Sequence, residues 1–309
     1  MPKPGKVWTD GEQVFADDLN ENFNELWAQA RFGGDGSTGS GHFTGNTTID
    51  LAGAKLVVLK YEQLIVDSGV TVNFSNPHAS GSIIYMKSRL DASIVGTIDA
   101  GGMGGDANTN GTGNIVDSVK GGNGATSTGS RPGGTAGTGV RVGDLNVGGM
   151  YYVVPGSGGG AGGTGLNSSG TPVAAGGYGG RGGGALIIEC AGEIEFTGNL
   201  YSYGADGGDG TPDTRTSGGG GGGGSGGMVI TIANSYGTFS GTIYVGGGAK
   251  GDAGVFSPGP GGGYGGSGGG GGGFESAGTA GNSAAGEAGA DGGAGAAGKS
   301  LQFTNHFYA

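Results

Sequence analysis

Glycine supplies 86 of the 309 residues of this chain, several times its ordinary share of about 7%. Leu, Ile, Val and Phe together fall below the roughly 20% that a large side-chain core requires, and only 13% of the residues are charged, which is low for a disordered chain. The net charge of −11 excludes a basic face for nucleic acid or anionic lipid. The composition predicts a chain whose order depends on something other than side-chain burial.

The N-terminal segment, residues 1–32, is the only helical candidate. Asp17 or Asp18 can cap the helix, and apolar residues recur at spacings of three and four from Phe15 to Ala30. A single helix cannot bury this stripe by itself, so we expect it to pack on another surface. No apolar stretch of signal-peptide length and no run of about 20 apolar residues occurs, which predicts synthesis in the cytoplasm without export or membrane insertion.

Residues 33–100 are predicted to form a β-strand domain. Four short runs rich in β-branched residues are separated by Gly, Asn or Pro turns. Strands of this length at nearly even spacing are typical of a β-solenoid or a small sandwich. The predicted strands are 47–51, 55–61, 63–67 and 70–74.

A repeated unit extends this pattern into the following sequence. It occurs at 82–106, 185–209 and 228–252, and each copy consists of a strand, a turn, a second strand and a glycine run that ends in Gly-Asp. Stacking of such units would bury one common core. The closing aspartates are expected to accept N–H bonds within turns. Isolated glycines mark the turn between the two strands, at Gly96, Gly198 and Gly241.

The glycine-rich repeat domain is predicted over residues 101–300, because only 12 glycines lie in the first hundred residues. Glycine often recurs there at every third residue, as at 156–165, 259–271 and 286–298. A period of three predicts bundled polyglycine-II helices whose backbone groups bond to neighbouring segments. A flexible linker is the alternative, whereas collagen is disfavoured by short runs and only nine prolines.

The expected fold class is therefore mainly β with polyglycine-II. It comprises a short N-terminal helix, a small β-solenoid or sandwich core with repeated strand units, bundled polyglycine-II helices and very little α-helix. The C-terminal residues 301–309 leave the glycine-rich composition and alternate apolar with polar residues, which predicts a final strand.

The sequence offers no pattern suited to catalysis or to a cofactor. GGMGGD at 101–106 matches the calcium β-roll repeat only in part, and no nine-residue tandem follows it. GxGxxG strings lack the strand and helix of a dinucleotide site, and GKS at 298–300 lacks the helix of a P-loop. The three histidines have no metal-ligand spacing. We predict a non-enzymatic protein without cofactor or metal, in which the single Cys190 is a small buried apolar residue.

Several aromatic residues and one arginine stand in or beside the glycine tracts. Aromatic and arginine side chains displayed on loops are typical contact residues. The alternative for each of them is packing against the ends of the glycine bundle or against the β-core. The candidate contacts are Tyr151, Tyr152, Tyr178, Arg181, Phe256, Tyr264 and Phe274.

The opening WTDGEQVFADDLNENF, residues 8–23, resembles the start of many bacteriophage tail-fibre and tailspike chains. The glycine tracts resemble the receptor-binding adhesins of T-even-like phages, in which bundled polyglycine-II helices carry variable loops that recognise outer-membrane proteins or surface glycans. The resemblance implies that residues 1–32 attach the chain to other tail or baseplate proteins. The attachment contacts would be Trp8, Phe15, Leu19, Phe23 and Trp27.

The resemblance further implies a virion protein of the phage tail that binds a host outer-membrane protein or surface glycan. A homotrimer is the expected assembly, with no nucleic acid and no membrane insertion. Two other classes are retained. A purely structural tail or baseplate component would not bind cells, and an ice-binding polyglycine-II protein would need a flat face of regularly spaced Thr or Ala.

Overall fold

A computed structural model describes most of the chain. No helix occurs among the described residues and most of the regular structure is β-strand, which confirms the mainly β prediction. The predicted N-terminal helix, up to residue 31, lies outside them. The described residues are 32–107, 111–112, 117–118, 146–147, 150–151, 153–214, 216–255, 263–264, 266–274, 277–282 and 288–304.

Nineteen strands lie in the described ranges. Ten come before residue 150: β1 (Gly39–Phe43), β2 (Thr47–Asp50), β3 (Leu56–Val66), β4 (Thr71–Ser75), β5 (Ile83–Ser88), β6 (Ala92–Ile94), β7 (Thr97–Asp99), β8 (Gly111–Thr112), β9 (Asp117–Ser118) and β10 (Asn146–Val147). Nine follow: β11 (Met150–Tyr151), β12 (Gly165–Asn167), β13 (Pro172–Ala174), β14 (Ala185–Phe196), β15 (Asn199–Tyr201), β16 (Met228–Phe239), β17 (Thr242–Tyr244), β18 (Gly263–Tyr264) and β19 (Lys299–Thr304).

Two parallel sheets form the body of the protein. The first has the order β1-β3-β5-β14-β16-β19, with β6 placed between β3 and β14, and the second has the order β2-β4-β7-β15-β17. Each stretch of chain therefore adds one strand to the first sheet and then a short strand to the second. Parallel neighbours need long returning connections, and after β7, β15 and β17 these connections contain the glycine tracts.

The main core lies between the two sheets. Apolar residues alternate along each strand, and the inward positions of neighbouring strands align, as in the buried row of Ile84, Leu186 and Val229. Ile98 and Leu200 form a matching row on the second sheet. A smaller apolar cluster covers the outer face of the first sheet. Side-chain burial is thus concentrated in the strands, which contain most of the chain's large apolar residues.

The three sequence repeats pair in register. Ala185 lies beside Ile83 and Met228 in the first sheet, and Asn199 lies between Thr97 and Thr242 in the second. These pairings cross residue 100, so the compositional boundary there is not a break between sheets.

The strand predictions need one correction. The predicted strands 55–61 and 63–67 are a single strand, β3. The interruption falls in its neighbour instead, because β3 pairs first with β5 and then with β6. The predicted C-terminal strand is present as β19, which pairs in parallel with β16, and residues 305–309 lie outside the described ranges.

The glycines between the paired strands stack too closely for a side chain. A Cβ atom on Gly198 would overlap the carbonyl oxygen of Gly96, and one on Gly241 would lie 2.6 Å from the carbonyl oxygen of Gly198. None of the three has a positive φ. Glycine is required at these turns because successive backbones approach each other, and not because of a left-handed conformation.

Replacing Gly198 by alanine is expected to lower the free energy of unfolding by about 1–3 kcal/mol, the usual cost of overpacking. The matched control is Gly45→Ala, because a Cβ atom at Gly45 meets nothing within 4 Å. Urea unfolding of both variants measures the difference. Equal stability of the two variants would contradict the close-stacking explanation.

Eight extended glycine segments lie beyond the sheets. We number them in chain order, and each runs alongside several others with backbone hydrogen bonds between them. They are segment 1 (153–164), segment 2 (175–184), segment 3 (202–211), segment 4 (217–227), segment 5 (245–255), segment 6 (266–274), segment 7 (277–282) and segment 8 (288–298).

Segment 4 is enclosed by six other segments. From residue 218 onward its N–H groups donate in turn to segments 3, 1 and 8, and its carbonyl groups accept in turn from segments 5, 2 and 6. At Gly221, for example, the N–H donates to Gly208 and the carbonyl accepts from Gly251, both at 2.8 Å. The six neighbours also bond to one another as a closed ring in the order 1-2-3-5-8-6. Every backbone N–H from Gly218 to Gly227 thus donates to a neighbouring segment, and these bonds hold the centre of the bundle together.

Enclosure explains the run of seven consecutive glycines at 218–224. A Cβ atom at any of these positions would lie closer than 3.0 Å to a carbonyl oxygen of a neighbouring segment. Segment 8 has fewer neighbours, and its strictly phased glycines at 289, 292, 295 and 298 are those that face segment 4. Its other positions hold residues such as Ala290 and Asp291. With a period of three, each segment has three sets of positions. The number of these sets that must be glycine therefore increases with the number of neighbouring segments.

Candidate recognition surface

The end of the bundle far from the sheets gathers several chain connections. Segment 4 ends next to β16, and segments 1, 3 and 5 run antiparallel to it. Thr211 accepts a hydrogen bond from Gly218, whose carbonyl accepts one from Gly254, so the far ends of segments 3, 4 and 5 lie at one level. The connections that start there are 165–174, 212–216, 256–265 and 283–287, of which residues 215, 256–262, 265 and 283–287 lie outside the described ranges.

A small three-stranded sheet, β13-β12-β18, lies at this far end. Asn167 fixes the turn between β12 and β13, because its side-chain oxygen accepts hydrogen bonds from the backbone N–H groups of Ser169 and Thr171. Leu166 is buried, whereas Val173 and Val255 are 40% and 79% exposed. The far end therefore combines a fixed backbone with exposed apolar side chains.

The candidate contacts Tyr264 and Tyr151 lie in short strands. Tyr264 is in β18 and pairs with Leu166 at the far end, and Tyr151 is in β11, which pairs with β10. The remaining candidates Tyr152 and Phe256 lie outside the described residues, as do the five attachment candidates Trp8, Phe15, Leu19, Phe23 and Trp27.

Tyr178 and Arg181 lie three residues apart on segment 2. Tyr178 is 72% exposed, and its ring lies so close to Gly208 that a Cβ atom there would overlap it. Arg181 forms an ion pair with Asp106 and donates to the carbonyl oxygen of Gly104 at 3.4 Å. Tyr178 is therefore available for contact, whereas Arg181 holds the chain at 104–106 against the bundle.

Phe274 is buried, which corrects its prediction as a contact residue. It is only 2% exposed and packs with Val154, Met228 and Ile230 on the outer face of the first sheet. This face carries apolar side chains that must be covered, and Phe274 stands where segment 6 reaches the sheet. Packing is the alternative that applies to this residue.

The closing aspartate Asp209 acts between segments, so the predicted turn role is wrong for this residue, and Asp206 three residues earlier acts in the same way. Asp209 accepts the backbone N–H of Asp252 on segment 5 at 2.8 Å, and Asp206 accepts that of Ala249 at 2.7 Å. Carboxylates three residues apart thus bond N–H groups on the outer side of the neighbouring segment, where no further segment lies. The spacing of three between Asp206 and Asp209, which is also the period of the glycines, was the signal in the sequence for this role.

Charged pairs reinforce the outside of the bundle. Lys250 on segment 5 contacts Asp291 on segment 8 and Asp252 on its own segment. The hydrogen bond from Lys250 lowers the pKa of Asp291 below its usual value, and the backbone N–H of Ala253 adds to this effect. These groups are partly exposed, so their contribution to stability is modest.

The described residues contain little reactive chemistry. Cys190 is fully buried, and burial raises the pKa of its thiol to about 11, which fits a small apolar residue. Within these ranges no three His, Cys, Asp or Glu side chains are grouped to hold a metal ion. No helix in the same part of the chain is long and apolar enough to cross a membrane.

Comparison with known protein families, with curated proteins and with solved structures finds no match to this chain.

Proposed function

We propose that this protein is a phage tail-fibre or tail-tip adhesin that binds a host-cell surface receptor without catalysis. The observation that carries the proposal is that several chain connections start from one fixed end of the glycine bundle, the end far from the sheets. Backbone hydrogen bonds fix the bases of four connections there, and the connections themselves differ in length and composition. Recognition residues are commonly placed on loops that a rigid scaffold positions.

We infer that the glycine segments are polyglycine-II helices and that the stacked strands form a β-solenoid. The hydrogen-bond partners of segment 4 repeat every three residues, which is the period of a polyproline II-type helix. The in-register parallel stacking of one long and one short strand per unit supports the solenoid. A scaffold of this kind keeps its fold when the connections change, because most of its hydrogen bonds join backbone groups.

The exposed apolar residues support contact at this end. Val173 and Val255 lie beside the far ends of segments 2 and 5, and the exposed Tyr178 lies on the flank of segment 2. Exposed aromatic and aliphatic groups on a fixed backbone lose little conformational freedom when they bind. A host outer-membrane protein or a surface glycan is the proposed partner.

The proposed virion attachment concerns the N-terminal segment. Residues 1–32 would bind other tail or baseplate proteins through the apolar stripe that starts at Trp8, and assembly would be a homotrimer. The described chain begins on the outer face of the first sheet, where Gly33 donates its N–H to Glu189 at 2.5 Å. This contact gives the attachment segment a defined starting point on the body of the protein.

A purely structural tail component is the main alternative. An ice-binding function would need a flat face of regular Thr or Ala on the bundle. The described outer positions of segments 3 and 5 instead carry Asp206, Asp209 and Lys250, which disfavours this class.

Attachment to cells tests the proposal. Fluorescently labelled protein is incubated with strains that the parent particle infects, and bound fluorescence is measured. We expect saturable binding, and a variant with Val173→Ser and Val255→Ser should lose at least tenfold in affinity. The control is Ala294→Ser on segment 8, which should bind normally. Absence of binding to every such strain would overturn the adhesin proposal and leave the structural alternative.

A further inference from the structure

The outer face of the second sheet carries a regular array of polar side chains. Along β4, Val72 and Phe74 are buried in the core, so Thr71, Asn73 and Ser75 point outward, and the other strands of this sheet alternate in the same way. The strand registers align these outward residues into rows across the sheet. One row contains Thr71, Thr97, Asn199 and Thr242, and the next contains Thr48, Asn73, Asp99, Tyr201 and Tyr244.

Three tyrosine rings lie together at one end of this face. Tyr201 and Tyr244 are neighbours in one row, and Tyr203 follows on the same side, with ring centroids 6.1–6.3 Å apart. Tyr244 is 50% exposed. A Cβ atom on Gly101 would overlap the ring of Tyr203, and one on Gly246 that of Tyr244. Close packing on glycine backbone holds these two rings in place before any ligand arrives.

Several polar side chains of the face lack a hydrogen-bond or ion-pair partner in the part of the chain that the structure describes. Asn73 makes no side-chain hydrogen bond there, and neither do the hydroxyls of Tyr201 and Tyr244. Asp99 accepts from the backbone N–H of Gly101 at 2.8 Å and from Tyr203 at 3.4 Å, and no cation pairs with it in these ranges. Amide, hydroxyl and carboxylate groups thus lie beside the exposed ring of Tyr244 and the half-buried rings of Tyr201 and Tyr203.

We propose that this face binds an uncharged oligosaccharide. Sugar rings present C–H groups that pack on aromatic faces, and their hydroxyls donate well to carboxylates. The described rows contain no Lys or Arg, so the face does not suit sulfated or phosphorylated ligands. Five strands at about 4.8 Å spacing give a width of about 19 Å, enough for a short oligosaccharide.

Each group has a role in this site. The tyrosine rings stack on the sugar, Asn73 and Asn199 hydrogen-bond its hydroxyls, and Asp99 accepts from a hydroxyl that lies between them. Asn199 is oriented by its bond to the hydroxyl of Thr97 at 3.1 Å. The proposal does not depend on the adhesin function, because it concerns a different surface from the far end of the bundle.

Titration calorimetry with defined oligosaccharides tests the site. The neutral probes are cellohexaose, maltohexaose and N-acetylchitohexaose, and a heparin hexasaccharide is the polyanionic probe. We expect saturable binding of at least one neutral probe and none of heparin. Tyr244→Ala should weaken binding at least tenfold and Asn73→Ala several-fold, and both variants should remain folded because both side chains point away from the core.

The control is Val255→Ser at the far end, which should bind the oligosaccharide normally. No binding of any neutral probe, binding of heparin instead, or unchanged affinity in both face variants would overturn the proposal. Cell attachment separates the two surfaces. If Tyr244→Ala binds cells normally while the far-end variant does not, the adhesin proposal stands whatever the calorimetry gives.

Discussion

Replacing Gly221 by alanine is expected to disrupt the glycine bundle at its centre. The Cβ atom would overlap the carbonyl oxygen of Tyr178, which is backbone and cannot rotate away. Overpacking of a dense interior costs about 1–3 kcal/mol or more, and the displaced segment would also lose hydrogen bonds to segments 3 and 5. We expect a loss of about 3 kcal/mol at least.

Amide hydrogen exchange measures this effect where it occurs. In the unmodified protein the N–H groups of residues 218–227 should exchange slowly, because all of them are bonded and enclosed. Gly221→Ala should accelerate their exchange and that of segments 2 and 3. Ala294→Ser on the half-exposed side of segment 8 is the control and should change neither exchange nor stability. Fast exchange throughout segment 4 of the unmodified protein would contradict the bundle itself.

Removing one partner of the buried ion pair on the first sheet should also be costly. Lys87 and Glu189 lie 2.9 Å apart on β5 and β14, and Glu189 is only 5% exposed. The carboxylate also accepts from the hydroxyl of Tyr85 and from the N–H of Gly33. A single break of a buried pair leaves an uncompensated charge and costs about 3–5 kcal/mol.

Urea unfolding of Lys87→Met, of Glu189→Gln and of the double variant tests this expectation. The double variant should recover part of the loss, because no unpaired charge then remains. The control is the exposed pair of Arg89 and Glu62 at 3.0 Å, where Arg89→Gln should cost less than about 1 kcal/mol. Equal losses in the free energy of unfolding at the two pairs would show that burial of Glu189 does not determine the cost of breaking its ion pair.

The carboxylate of this ion pair also holds the first part of the chain that the structure describes. Gly33 is buried and has a φ of 84°, so the chain turns sharply where it meets Glu189. A Cβ atom there would lie 2.5 Å from the carbonyl oxygen of Ser88. The body of the protein thus fixes the chain at residue 33, directly after the segment that we propose for attachment.

Local patterns were sufficient for some predictions and not for others. The repeated β-units were visible because their strands are apolar and similarly spaced, and their pairing in register follows from that similarity. The single strand β3 was predicted as two, because the interruption belongs to the neighbouring β5 and β6. The burial of Phe274 was not predictable, because an aromatic residue in a glycine tract has the same local sequence whether it contacts a sheet or solvent.

The outer face of the second sheet was missed for a related reason. Asn73, Asp99 and Tyr201 are far apart in sequence and become neighbours only through the strand register. The alternation of Thr-Ile-Asp at 97–99 and Asn-Leu-Tyr at 199–201 was the available signal. It indicates which residues point outward but not which of them lie side by side.

The sequence by itself determined that backbone groups would order much of this chain, because few large apolar residues are available and glycine keeps a period of three. Tertiary structure decided which positions within that period must be glycine. A segment with six neighbours has no direction left for a side chain, so 218–224 are all glycine, whereas segment 8 keeps room for Asp291. The number of neighbours is a property of the assembled bundle, and no local pattern specifies it.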